Sequence, residues 1–116
     1  MVLGVDLDRR NQWLRGVLDL CVLALLAGRE SYGYELAQAL ERAGLGAIQG
    51  GTLYPVLLRL QRTGSVTTRW QEGDGGPARK YYQITQAGRD GLTRDGEDWL
   101  AFAAMVAKLM NEGDGR

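Results

Sequence analysis

Residues 50–64, GGTLYPVLLRLQRTG, constrain the fold more than any other stretch of this 116-residue chain. At about 100° per residue, Leu53, Val56, Leu57 and Leu60 share one broad arc of a helix, with Tyr54 and Leu58 at its margins. Thr52, Pro55, Arg59, Arg62 and Thr63 fall together on the opposite side. A helix that only packs has no use for a coherent second face of small, rigid and basic residues. Proline is tolerated in a helix's first turn, so Pro55 sets the predicted start near Gly51 or Thr52, and Gly64 closes the element. Free backbone amides at that start suit a phosphate, and Gly51 lets a phosphodiester come close. Arginines on such a face reach phosphates or guanine edges when a helix enters the major groove. Solvated surface charge is the plain alternative for Arg59 and Arg62.

The flanking segments supply an architecture. Residues 11–28 read as one helix, with Leu18, Leu20, Cys21, Val22, Leu23, Leu25 and Leu26 surrounding its axis. A domain this small struggles to cover such a helix alone, which hints at a partner surface. Gly28 ends it, and Ser31 is the expected N-cap of a second helix, YGYELAQALERAG. Residues 44–51 form a turn before the third helix. Val66, Thr68 and Trp70 then read as a strand, EGDGGP as a loop and residues 80–84 as a returning strand, a β-hairpin with Arg79 and Lys80 on its arm. Thr85 caps a last helix to about Met110, in which Leu92, Trp99, Phe102, Val106 and Leu109 lie close to a coiled-coil seam. The expectation is a single domain, mainly α with a small β-hairpin. It comprises a winged helix-turn-helix over about residues 11–84 and a long C-terminal dimerisation helix over about residues 85–110.

Composition enters by exclusion. The chain has no histidine, and its lone Cys21 sits in LDLCVLALLA, where a buried apolar role fits best. Neither a metal site of the usual spacing nor an internal disulfide is expected, and the single cysteine fits a reducing cytosol. Asp95, Glu97 and Asp98 read as solvated carboxylates, so no catalytic residue, metal or cofactor is expected. Residues 17–27 fall short of the ~20 apolar residues of a membrane span, and the N-terminus lacks a signal peptide's apolar core, so a cytoplasmic protein is expected. Formal charge is balanced, yet its distribution is not. Over residues 51–85, Arg59, Arg62, Arg69, Arg79 and Lys80 oppose only Glu72 and Asp74, while acids prevail from Asp90 onward.

The stretches YGYEL, GTLYPVLLRLQRTGSV and GPARKYYQITQAG, in that order and spacing, resemble the PadR-like transcriptional regulators. The likeness is close over roughly residues 14–92, and the last helix corresponds in length and position. The resemblance implies a sequence-specific repressor of the short type, homodimeric through its single last helix packing on the first helix of its partner. By position it places Ser31, Tyr32 and Tyr34 on the helix that supports the reader, and Thr52, Tyr54, Pro55 and Arg59 on the recognition helix. Arg79 and Lys80 fall on the wing; with Gly51 and Arg62 these residues make up the expected surface for double-stranded DNA. Tyr34 and Tyr54 have a second reading as core residues with surface hydroxyls, and Tyr81 and Tyr82 read as hairpin packing.

Leu18, Cys21 and Leu25 of the first helix and Leu92, Trp99, Phe102, Val106 and Leu109 of the last form the expected dimer interface. The resemblance further implies, for some short members, a planar aromatic or cationic small molecule held between the subunits, with Trp99 at the stacking position. Trp13, Leu20, Ala24, Leu92, Gly96 and Ala103 would flank that space, and dimer core is the other reading of Trp99. A winged-helix adapter that binds a protein instead of DNA is the alternative function. Balanced charge favours it and the basic face disfavours it.

Overall fold

The computed structural model describes residues 7–113. Two helices, α1 (Leu7–Leu14) and α2 (Leu18–Gly28), replace the single helix expected over residues 11–28. The chain breaks at Arg15, Gly16 and Val17, where the Val17 amide donates to the Leu14 carbonyl at 2.9 Å in a tight turn. Glycine costs about 1 kcal/mol in a helix interior, and Asp19 in the first turn favours a fresh N-terminus for α2. This second helix is the axis of the domain. Leu18, Val22, Leu23 and Leu26 are buried, with Cys21 and Leu25 packed at the edge of the same cluster. Burial pushes the Cys21 thiol above its ordinary pKa, in keeping with a packing role.

The strand β1 (Ser31–Tyr32) has no counterpart in the sequence reading. It pairs antiparallel with β3 (Arg79–Ile84), whose other edge pairs with β2 (Val66–Gln71), in the order β1-β3-β2. Ser31 is therefore not the cap of α3 (Gly33–Leu40). It lies opposite Tyr82 in the sheet and is only 7% exposed. Extended Tyr32 precedes the helix instead, and its amide donates to the Glu35 carboxylate at 3.4 Å. The chain then passes through a π turn, Glu41–Leu45, and leaves it at Gly44, whose φ of +98° only glycine adopts readily.

The reader of the sequence motif is α4 (Gly50–Arg62). It begins slightly earlier than predicted, so Pro55 stands in its second turn rather than its first. Pro55 has no amide to give the Gly51 carbonyl, a loss tolerated because that end of the helix is exposed. Burial of Leu53, Val56, Leu57 and Leu60 holds the helix regardless. The last element, α5 (Gln86–Glu112), starts at the expected cap, where Thr85 Oγ1 accepts from the Gly88 amide at 3.0 Å. Gly88 lets α5 cross close to the loop before β2, since a Cβ there would overlap the Ser65 carbonyl oxygen. Leu18 and Leu92, expected between subunits, are used in or against the chain's own core. Beyond Leu92, by contrast, Phe102, Met105, Val106 and Leu109 emerge exposed on α5.

Candidate nucleic-acid interface

Three segments meet at one edge of the domain: the first turn of α3, the N-terminal end of α4 and the free end of the β2–β3 hairpin. Gly33 makes the meeting possible. A Cβ at this position would overlap the Tyr54 hydroxyl and stand 2.8 Å from Cζ, so only glycine lets the Tyr54 ring lie across the start of α3. Tyr82 is buried beneath, and its phenol is pushed up chiefly by that burial, with Tyr54 adding to the shift. The Arg79 guanidinium sits 4.6 Å above the Tyr32 ring, and Lys80 Nζ lies 5.6 Å from the Tyr82 centroid. Aromatic faces hold these cations in place without neutralising them. An open cleft lined by Tyr32, Tyr34, Tyr54, Trp70, Arg79 and Lys80 is the outcome.

The hairpin is tied to the body by Glu30. Arg69 donates from Nε to Glu30 Oε1 at 2.8 Å and from Nη2 to Oε2, while Gln83 Nε2 donates to Oε1 at 3.0 Å. The Arg69 hydrogen bond, more than any other influence, holds the Glu30 carboxyl below its usual range, and Glu30 in turn raises Arg69. Arg69 also stands 4.8 Å over the Tyr81 ring. It therefore orients the wing and is withdrawn from the free positive charge counted in the sequence.

The second face of α4 is divided by what surrounds it. Thr52, Pro55 and Arg59 turn towards α1 and α2, where they border a cleft with Leu14, Arg15 and Leu18. Arg59 makes a two-pronged pair with Asp19 of α2, Nε to Oδ2 at 3.0 Å and Nη2 to Oδ1 at 2.7 Å. That hydrogen bonding raises the Arg59 pKa further. Tyr54 instead faces α3 and the wing, and Arg62 lies exposed in the last turn. The structure thus gathers Tyr32, Tyr34, Tyr54, Arg79 and Lys80 around one cleft, with Gly50 beside the Tyr54 ring, leaves Ser31 buried, and engages Arg59 elsewhere. The interruption of the apolar run 17–27 by Asp19 is the one sequence signal that pointed to this pairing.

The family model for the transcriptional regulator PadR-like family matches residues 22–94. The chain belongs to this family. It is 38% identical over 85 residues to a transcriptional regulator of Mycobacterium tuberculosis, covering 73% of this chain and 78% of that one. A PadR-like transcriptional regulator of Bacillus cereus superposes with a TM-score of 0.76 at 35% identity, over 85% of this chain and 96% of the other. A PadR family regulator of Eggerthella lenta gives 0.76 at 33% identity, over 85% and 86% of the two chains. The PadR winged-helix fold and the role of transcriptional regulator follow.

Within this PadR-like chain, the residues implied for an effector are spread over α1, α2 and α5. Trp13 and Ala24 are exposed, Gly96 and Ala103 are half-buried, and Trp99 is 38% exposed. Leu20 opens into a different cleft, between α2, α4 and α5, bordered by Arg59, Thr63 and Asp90. Among the described residues no group of carboxylates and thiols is placed to hold a metal ion, and no helix is long and apolar enough to cross a membrane.

Proposed function

We propose that this PadR-like regulator is a sequence-specific DNA-binding repressor acting as a homodimer on a partly palindromic operator. The convergence of the α4 N-terminus and Tyr54 with Arg79 and Lys80 at one exposed edge carries the reading. The free amides and positive dipole end of α4 favour a phosphate, a helix of this width enters the major groove, and the wing cations take neighbouring backbone. Dimerisation is supported by α5. Its 27 residues extend about 40 Å, and Trp99, Phe102, Val106 and Leu109 present an apolar strip that the described residues leave between 38% and 63% exposed. A two-fold axis through such a seam offers two α4 helices to successive major grooves. Trp99 at that seam gives a planar aromatic or cationic effector a face to stack on, and an effector that prefers one spacing of the reading heads shifts the population towards it.

Fluorescence anisotropy with a labelled duplex from the region upstream of the chain's own gene tests this. Arg79→Ala and Lys80→Ala are each expected to weaken binding and to make its salt dependence shallower by about one phosphate contact. An adapter that binds only protein would leave the duplex free even at low salt.

A further inference from the structure

We infer that Trp70 is a nucleic-acid contact, its indole covering a deoxyribose of the strand whose phosphates meet Arg79 and Lys80. The inference rests on the DNA-binding reading and adds a residue to it that neither motif nor charge pattern singles out. In the hairpin register Val66, Thr68 and Trp70 of β2 lie opposite Ile84, Tyr82 and Lys80 of β3, so alternation puts all six on one face of the sheet. Val66 and Tyr82 of that face are buried in the core. The hairpin runs on past Tyr82, and Trp70 keeps the inward orientation, on the cleft it shares with Tyr34 and Tyr54, while staying 67% exposed. An indole held inward over an uncovered cleft, rather than outward on a solvated face, is an apolar contact without an occupant.

The cleft itself indicates the occupant. Its walls are Tyr34 and Tyr54, whose exposed rings end in hydroxyls, and its rim carries Arg79 and Lys80. A sugar–phosphate strand presents the matching sequence of surfaces, an apolar deoxyribose face for the indole beside an anion for the cations and the tyrosine hydroxyls. Tyr54, one of its walls, belongs to the first half of the α4 helix proposed to meet the groove, so a duplex seated on α4 would pass this rim. Geometry and charge agree on the same strand.

The full chain and the same labelled duplex provide the test. Trp70→Ala should weaken binding about tenfold with an unchanged salt slope, because an apolar contact and no charge is removed. Trp70→Phe should retain most of the affinity. Adding duplex to the wild-type protein should change its tryptophan emission, and that change should be lost in Trp70→Phe. Lys80→Ala is the reference, with lower affinity and a shallower slope. If Lys80→Ala weakens binding while Trp70→Ala does not, the Trp70 contact is wrong and the DNA surface stands. If wild-type protein leaves the duplex unbound, the DNA reading itself fails. Should Trp70→Ala melt early, the emission of Trp70→Phe decides: an undiminished change on adding duplex overturns the contact.

Discussion

At Gly33 a hydrogen stands where a methyl group would collide with Tyr54, and the colliding atoms are the far end of a side chain that can swing away. Gly33→Ala should therefore leave the thermal midpoint close to that of wild type. It should nevertheless lower operator affinity, because Tyr54 is displaced from the interface edge. Wild-type affinity in Gly33→Ala would show that the position of Tyr54 does not matter to binding. Arg59 makes a second contrast at this scale. Held by both carboxylate oxygens of Asp19, it ties α4 to α2, and its charge is already paired before any phosphate arrives. Asp19→Asn and Arg59→Ala should each reduce affinity modestly while the salt slope stays as in wild type, unlike Lys80→Ala. A slope reduced by about one in Arg59→Ala alone would return Arg59 to the DNA surface. Helical angle located Arg59 correctly off the leucine arc, but the partner that claims it is set by how two helices cross.

At the scale of elements, the wing is only as well placed as its anchor to Glu30. Because the Glu30 carboxyl is held below its usual range, mainly by Arg69, its contribution is complete above the ordinary glutamate pKa of about 4.3 and is lost as pH falls through the lower, folded value. The melting difference between wild type and Glu30→Gln should thus be constant from neutral pH down to about 5 and shrink on further acidification. A difference that stays constant into strong acid would mean that the Glu30 carboxylate does not act through its charge. Much of the element order was legible: α4 from its periodicity, the hairpin from its two extended runs and the intervening glycines, and the start of α5 from Thr85. The break between α1 and α2 and the strand β1 were not. Gly16 is a single weak residue in an otherwise helical run, and a two-residue strand has no period to detect.

For the whole molecule, α5 is the unfinished surface. Leu109 is exposed and far from the core, so Leu109→Glu should leave the melting of a subunit's own core nearly unchanged while shifting sedimentation from dimer to monomer and abolishing tight binding to a two-half-site duplex. A dimer that survives this change would place the seam elsewhere. Patterns repeated along a continuous stretch were enough to establish the winged helix-turn-helix and its long last helix, because periodicity and capping act between near neighbours. The family came from the resemblance of three motifs and from the family model. Which basic residues stay free, what the missing side chain at Gly33 makes room for, and why Trp70 is left uncovered were decided only when distant segments met. Asp19 claims Arg59, Glu30 claims Arg69, and the hairpin outruns the core. Those outcomes depend on contacts across the fold, which no periodicity along the chain encodes.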